Sequence, residues 1–164
     1  MPFLLTVYLD CKDAYQNGRT TSGLYTINPD NQTAFQVYCD MDTSGGGWTV
    51  IQRRFDGSVS FDRTWSECAR GFGNKTGEYW LGLNYIHRLT TSAGQILRVD
   101  LEDFENNTAF AQYTTFTVAN ATDKYRLLVS GYTGTAGSMQ ESSGQQFTTK
   151  DNDNDGHHIV NCAT

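Results

Sequence analysis

The sequence predicts an α+β domain built on antiparallel sheets, and three observations support this prediction. Runs with the two-residue period of strands and shorter runs with the period of helices both occur, but not in the regular β-α-β order of a parallel sheet. The 164 residues include 16 Gly and only 2 Pro, which indicates many tight turns. An aromatic share of 13% supplies large core side chains, and a chain of this length is expected to form one domain.

Two strands are predicted before residue 45. The stretch "SGLYTINP" is a short extended segment that ends at Pro29. The stretch "AFQVYCDM" alternates, which places Phe35, Val37 and Cys39 on one face. After the turn "TSGGG", the β-branched and aromatic residues of "WTVIQRRF" predict one further strand.

Two short helices are predicted next. The first covers "DRTWSECARGFG", with Asp62 as its N-cap and Gly71 as its C-cap. The second covers "LGLNYIHRLTT", where Leu83, Ile86 and Leu89 have helical spacing.

Three strands complete the predicted sheet. They cover "QILRVDLEDF", "FAQYTTFTV" and "KYRLLVSGY". In the first of them, Leu97, Val99 and Leu101 are expected to form the buried side. From Gly131 onward neither period continues, so that part is predicted to be loops.

The composition argues against several classes of function. A net charge of −6 with scattered basic residues is unlike a nucleic-acid-binding surface, and no apolar run reaches the ~20 residues of a membrane helix. No GxSxG, HExxH or P-loop motif is present, so catalysis is not expected. Residues 1–9 lack the pattern of a signal peptide and are interpreted as a leader or an expression-derived segment.

The cysteines and the glycosylation sequons favour the secretory route. The four cysteines show no CxxC spacing, which weakens a zinc interpretation. Four Asn-x-Thr sequons predict a secreted glycoprotein in an oxidising compartment. The sequon asparagines are Asn31, Asn74, Asn106 and Asn120. Three tryptophans, Trp48, Trp65 and Trp80, are candidates for stacking on sugars, but their positions beside strand and helix patterns favour core packing.

Several specific stretches occur in a familiar order between residues 10 and 163. They are "DCKDAYQNGRTTSGLYTINP", "VYCDMDTSGGGWTVIQRRFDGSVSFDRTW", "GFGNKTGEYWLGLNYIHRLT", "LRVDLEDF" and "TKDNDND…NCA". In this order they resemble a fibrinogen-related domain, the C-terminal module of ficolins, tachylectins, angiopoietins, tenascins and the fibrinogen chains. The resemblance implies a secreted, non-catalytic recognition domain over residues 10–164.

The resemblance also implies how that domain is organised. A small disulfide-linked N-terminal lobe is expected over residues 10–46, and a central twisted antiparallel sheet with short helices over 47–130. A loop-rich calcium and ligand lobe is expected over 131–164. This lobe is expected to be incomplete, because family members continue for several tens of residues beyond the cysteine that matches Cys162.

Site residues follow from the same resemblance. Cys11 and Cys39 match the family's first disulfide, and Cys162 matches one half of its second. Calcium is implied as the cofactor, and the ligand-binding segment matches Asn161 and Cys162. The family's calcium loop matches "DNDND". On that pattern, the resemblance implies four ligands: the carboxylates of Asp153 and Asp155 and the carbonyls of His157 and of a residue near Ile159, taken as Ile159 itself.

Other interpretations of the acidic stretch rest on the residues alone. An EF-hand is matched by Asp151, Asp153, Asp155 and Gly156, but its twelfth position is Cys162 where a glutamate is required. A solvated acidic tail is the simplest alternative. A transition-metal site at the adjacent His157 and His158 is disfavoured, because neighbouring side chains on an extended loop point in opposite directions.

Cys68 and Cys162 are candidates for a second bridge, within the chain or between two chains. The alternative is that Cys162 is a free thiol on a frayed end. Without the strand that family members add after this point, an open sheet edge is expected, which favours a homodimer.

The expected function is lectin-like pattern recognition in innate immunity, through acetylated sugars or microbial surface glycans. The alternative is a protein-interaction or signalling module of the angiopoietin, tenascin or fibrinogen kind. The fold by itself does not choose between them.

Overall fold

The computed structural model describes residues 6–92, 94–156 and 161–164. The chain divides into two compact units, one ending at Leu89 and the other starting at Thr90. Within the described ranges, the strands form three antiparallel sheets of three strands each. Three short α-helices accompany them. The predicted α+β class with antiparallel sheets is therefore confirmed.

The first sheet contains β1 (Gly23–Ile27), β2 (Phe35–Asp40) and β3 (Trp48–Val50) in that order. The predicted alternation in β2 is confirmed, since Phe35, Val37 and Cys39 are buried and the residues between them are more exposed. An isolated bridge joins Tyr8 to Ile27 of β1. This bridge makes Tyr8 part of the first unit.

Helix α1 (Cys11–Gln16) is joined to β2 by a disulfide. The Asp10 side chain caps the helix by accepting a hydrogen bond from the Asp13 N–H at 2.8 Å. The disulfide links Cys11 to Cys39, whose Cα atoms are 5.4 Å apart, and both residues are fully buried. The predicted first disulfide is thus present.

The prediction of one continuous strand over residues 48–55 is wrong. The chain leaves the first sheet after β3 and enters a second sheet as β4 (Gln52–Arg53), which pairs with β6 (Tyr79–Trp80). Strand β5 (Phe72–Gly73) pairs with the other side of β6. At the break, the Ile51 carbonyl accepts a hydrogen bond from the Leu81 N–H at 2.9 Å. A local β pattern does not record a change of strand partner, so the sequence could not show this break.

Helix α2 (Trp65–Arg70) begins two residues later than predicted. Its N-cap is Thr64 and not the predicted Asp62, because Thr64 and Glu67 form a reciprocal capping box. Its predicted C-cap, Gly71, is confirmed, with a φ of 94°.

Helix α3 (Leu83–Thr90) also follows the prediction, and its residues Leu83 and Ile86 are buried. No helix in the described ranges is long and apolar enough to cross a membrane.

The second unit is built on β7 (Leu97–Glu102), β8 (Thr108–Val118) and β9 (Leu127–Gly134), with β8 in the centre. Its core is formed by Ala111, Tyr113 and Val129.

Two expectations for these strands are corrected. Leu101 is 53% exposed, because it lies near the end of β7 and beyond the packed centre of the sheet. Strand β9 starts at Leu127 and not at Lys124, since Lys124 and Tyr125 adopt left-handed φ angles of 52° and 51° that a strand does not accommodate. It also continues past Gly131 to Gly134.

Candidate functional site

The acidic loop, residues 147–156, starts from a hydrogen-bonded base in the second unit. The Phe147 N–H donates to the Lys124 carbonyl at 2.9 Å. Thr149 and Asn152 then exchange two backbone hydrogen bonds of 3.1 Å, which close a tight turn. Thr149 is 4% exposed, so this turn is packed into the unit. The first residues of the acidic loop are therefore held in place by hydrogen bonds and by packing within the second unit.

Asn154 holds the middle of the acidic loop. Its side-chain amide donates to the Phe147 carbonyl at 3.0 Å and to Asn152 Oδ1 at 3.2 Å. Its backbone N–H donates to the Thr148 hydroxyl at 3.1 Å. Asn154 was not among the residues predicted from the sequence. The sequence feature that could have indicated its role is an asparagine between two aspartates. Asparagine side chains often hydrogen-bond the backbone of their own loop.

The structure brings Asp153 and Asp155 next to Asn161 and Cys162. Asp155 Oδ2 accepts a hydrogen bond from the Cys162 N–H at 2.8 Å, and the Asp155 N–H donates to Asp153 Oδ1 at 3.2 Å. The Asn161 side chain donates to the Thr149 carbonyl at 3.1 Å. Two predicted calcium ligands and both predicted ligand-binding residues therefore lie in one cluster.

The cluster is strongly negative. A hydrogen bond to Asp155 is the main factor that raises the pKa of the Cys162 thiol, and the charges of Asp155 and Asp153 add to it. Acidic residues also outnumber basic ones between Thr90 and Thr164, where the basic residues are Arg98, Lys124, Arg126 and Lys150. The cluster thus lies in an environment that attracts cations.

The remaining predicted ligands, His157 and Ile159, lie outside the described residues, as does His158. Across the described ranges, no group of three or more His, Cys, Asp or Glu side chains is arranged to hold a metal ion. Of the four predicted ligands, the described part of the loop therefore offers the carboxylates of Asp153 and Asp155.

Cys68 and Cys162 are thiols in this structure. Cys68 is buried on α2, whereas Cys162 is exposed beside the acidic loop. A bridge between them, within or between chains, stays a prediction. Of the two sulfurs, that of Cys162 is the one a second chain can reach.

The tryptophans and the sequons occupy different environments. Trp48, Trp65 and Trp80 are half-buried, and the indole N–H groups of Trp48 and Trp80 donate to the carbonyls of Thr43 and Cys68 at 2.9 and 2.8 Å. Their packing agrees with a structural role. The four sequon asparagines are all exposed, and they are Asn31, Asn74, Asn106 and Asn120.

Comparisons with known proteins define the class of this fold and site. The family model described as "Fibrinogen beta and gamma chains, C-terminal globular domain" matches residues 7–164. The chain belongs to this family. It is a fibrinogen-like recognition domain, and the family is non-catalytic.

Individual relatives agree with this assignment. The chain is 53% identical to Fibrinogen C domain-containing protein 1-B of Xenopus laevis over 162 residues, which are 94% of the chain and 35% of that protein. The chain thus spans about a third of that relative's length.

Two solved structures have the same fold. The fibrinogen-like globe domain of human ANGPTL2 matches with a TM-score of 0.92 and 44% identity, over 95% of this chain and 73% of that one. A lamprey fibrin D-dimer, complexed with the peptide ligand Gly-His-Arg-Pro-amide, matches with a TM-score of 0.87 and 38% identity, over 96% of this chain and 55% of that one.

Domains of this family often bind calcium. Calcium prefers several oxygen ligands in flexible geometry, including carboxylates and backbone carbonyls. Asp153 and Asp155 supply carboxylates two residues apart, and the Asp155 N–H donates a hydrogen bond to Asp153 Oδ1. The residues therefore fit a hard cation better than a soft one.

Proposed function

We propose that this chain is a secreted, lectin-like recognition domain that binds acetylated sugars or microbial surface glycans in innate immunity. The observation that carries the proposal is the hydrogen bond of 2.8 Å between Asp155 Oδ2 and the Cys162 N–H. It joins the acidic loop to the segment that matches the ligand-binding part of lectin-type family members. A single sugar contact is weak, so the domain works through several copies.

Calcium is the proposed cofactor of this lobe. The carboxylates of Asp153 and Asp155 hold the ion, with the carbonyls of His157 and Ile159 completing the proposed set. The ion supplies positive charge that offsets the clustered carboxylates. Asp155 meanwhile holds the Cys162 backbone through its Oδ2 atom. A stable acidic loop therefore gives a stable ligand-binding segment.

Retention on immobilised sugars tests the recognition function. The chain should be retained on N-acetylglucosamine or N-acetylgalactosamine beads, and a chelator should release it. Asp153→Asn should abolish retention, because the substitution removes one carboxylate charge. Asp151→Asn is the matched control, since it removes the same charge from the same loop outside the proposed ligand set, and it should be retained.

Titration calorimetry with calcium tests the metal site separately from sugar binding. Wild type and Asp151→Asn should release or absorb heat with calcium, and Asp153→Asn should not. Equal heats from all three proteins would show that Asp153 is not a ligand.

The second candidate is a protein-interaction module, and the lamprey fibrin D-dimer with its bound peptide favours it. On this alternative, the chain recognises a protein or peptide segment without sugar binding. Failure to be retained on any acetylated matrix, together with saturable binding of a protein ligand, would select this function.

Self-association through β7 is a further part of the proposal. In the described part of the second unit, β7 has a hydrogen-bonded strand neighbour on one side only, namely β8. Strand β9 is flanked on its other side by the segment around Gly144 and Gln145, which exchanges backbone hydrogen bonds with Leu127. An edge such as β7 can pair with a second copy. A strictly monomeric mass by light scattering at micromolar concentration would exclude the homodimer.

A further inference from the structure

The hairpin between β7 and β8 has a three-residue loop at its tip. Asp103 and Asn107 close the loop through a hydrogen bond of 3.0 Å from the Asp103 N–H to the Asn107 carbonyl. Inside it, the Asn106 N–H donates to the Asp103 carbonyl at 3.1 Å, and Asn106 has a left-handed φ of 65°. This is the usual form of a three-residue hairpin loop, a turn followed by one left-handed residue.

The Asp103 side chain makes this loop rigid. Its Oδ1 accepts the backbone N–H groups of Glu105 and Asn107, each at 2.9 Å, and its Oδ2 accepts the Asn107 side-chain amide at 2.8 Å. These bonds, led by that of the Asn107 side chain, lower the pKa of Asp103. The loop therefore holds its residues in fixed positions while its tip faces solvent.

The tip of the loop contains an exposed aromatic residue and the asparagine of a sequon. Phe104 is 104% exposed, so the protein covers neither face of its ring. Two residues later, Asn106 begins the sequon Asn106-Asn107-Thr108. Within the described residues, the Asn106 side chain makes no hydrogen bond. Among the described residues, the fully exposed ring thus has no protein partner, and it lies on the same loop as the Asn106 amide.

We propose that Asn106 carries an N-linked glycan whose first N-acetylglucosamine packs against the ring of Phe104. The amide Nδ2 of Asn106 attacks C1 of a lipid-pyrophosphate-linked oligosaccharide. The C1–N bond forms as the C1–O bond to the pyrophosphate breaks, and one amide proton passes to a base of the transferase. The apolar C–H face of the sugar then covers an apolar ring that otherwise faces water.

The chain contains an internal comparison with the same residue spacing. Phe72 precedes the sequon asparagine Asn74 by two residues, as Phe104 precedes Asn106. The Phe72 ring, however, packs edge-on against Phe61 at 5.0 Å and lies under the Arg63 guanidinium at 5.1 Å. Asn74 Oδ1 also accepts hydrogen bonds from the backbone N–H and the hydroxyl of Thr76, at 3.0 and 2.8 Å. A glycan on Asn74 would therefore find no open ring.

The proposal does not depend on the ligand of the domain. The full chain is directed into the secretory pathway of a eukaryotic host by a heterologous signal, and mass spectrometry measures the occupancy of each sequon. Thermal melting then compares three forms: the intact glycan, the glycan trimmed to one N-acetylglucosamine, and the form after an amidase has removed the whole glycan. The amidase leaves Asp at position 106, a residue that tolerates the same left-handed backbone.

We expect Asn106 to carry a glycan. We also expect the form trimmed to one N-acetylglucosamine to melt at the same temperature as the form with the intact glycan. Complete removal should lower the melting temperature by about 2–4 °C. In Phe104→Ala, complete removal should cause no such shift. Asn74→Gln is the control, and it should keep the full effect of removal in an otherwise wild-type chain.

Two results would overturn the proposal. One is an unmodified Asn106 in the secreted chain. The other is a drop in melting temperature on deglycosylation that is as large in Phe104→Ala as in wild type, since the ring would then contribute nothing. Sugar retention on beads is measured separately, so a failure of the recognition function leaves this result unaffected.

Discussion

At the scale of single residues, the buried Glu78 side chain accepts four backbone hydrogen bonds in the first unit. It is 2% exposed, and its Oε1 accepts the backbone N–H groups of Phe55, Asp56 and Gly57 at 2.7, 2.9 and 2.9 Å. Its Oε2 accepts the Val59 N–H at 2.9 Å. These backbone hydrogen bonds favour the ionised form and lower the pKa of Glu78 to about 2. One carboxylate thus organises a whole surface loop.

Replacing Glu78 by Gln should lower the melting temperature at pH 7, because an amide cannot accept these bonds as a carboxylate does. The pKa of Glu78 is depressed in the folded state, so its contribution is fully present above the unfolded value of 4.5. It is lost as the pH falls toward about 2. The difference in melting temperature between wild type and Glu78→Gln should therefore shrink between pH 4.5 and pH 2, as followed by circular dichroism.

The exposed Glu141 offers the control for this experiment. Glu141→Gln should melt like wild type throughout this pH range. A difference for Glu78→Gln that stays constant with pH would contradict the role assigned to its charge.

At the scale of elements, α2 shows how a short helix is fixed by its ends. The helix has six residues, too few to be stable by propensity. The Thr64 side chain accepts from the Glu67 N–H, and Glu67 Oε2 accepts from the Thr64 N–H at 2.9 Å. The bonds from Thr64 also lower the pKa of Glu67. Capping therefore places the helix start at Thr64, which is followed three residues later by Glu67, whereas Asp62 is followed at that spacing by Trp65.

Loss of this cap should be measurable as a change in the free energy of unfolding. Thr64→Ala removes the hydroxyl acceptor and should cost about 1 kcal/mol in urea denaturation. Thr64→Ser keeps a hydroxyl at the same position and should retain most of that stability. Equal losses in the two variants would mean that the threonine methyl group, and not the cap, is responsible.

At the scale of the whole molecule, the disulfide is the covalent link that ties α1 to the first sheet. Its two cysteines are 28 residues apart in the sequence. A loop of that length, closed in the unfolded chain, corresponds to about 3–4 kcal/mol of lost conformational entropy. Because the strands of the first sheet are only three to six residues long, we expect this link to contribute to the stability of the first unit.

Removal of both sulfurs in Cys11→Ser/Cys39→Ser should lower the midpoint of denaturant unfolding by an amount equivalent to about 3 kcal/mol. Cys162→Ser, at an exposed thiol, should leave the midpoint unchanged. A double variant as stable as wild type would show that the packing around α1 is sufficient without the covalent link.

The fold was largely predictable where local pattern and tertiary structure agree. The alternation of Phe35, Val37 and Cys39 identified β2, and the spacing of Leu83 and Ile86 identified α3. The prediction failed where a distant partner decided the outcome. Ile51 looks like part of one strand, but the Leu81 N–H binds its carbonyl where the chain moves from one sheet to another.

The candidate site was predictable only through resemblance to a family. The spacing of Asp153 and Asp155 fits calcium and a solvated tail equally well, because alternating carboxylates occur in both. Asn154 went unnoticed because its role depends on the carbonyl of Phe147, seven residues away.

By itself, the sequence determined the α+β class, the positions of most strands and helices, and the family to which the chain belongs. These follow from short-range periodicity and from motifs in a fixed order. Two segments share the pattern Phe-x-Asn-x-Thr, and only the tertiary structure decided in which of them the phenylalanine ring is exposed to solvent. Phe72 and Phe104 each precede a sequon asparagine by two residues, yet one ring is packed and the other is bare. Burial depends on residues distant in sequence, and no local spacing encodes it.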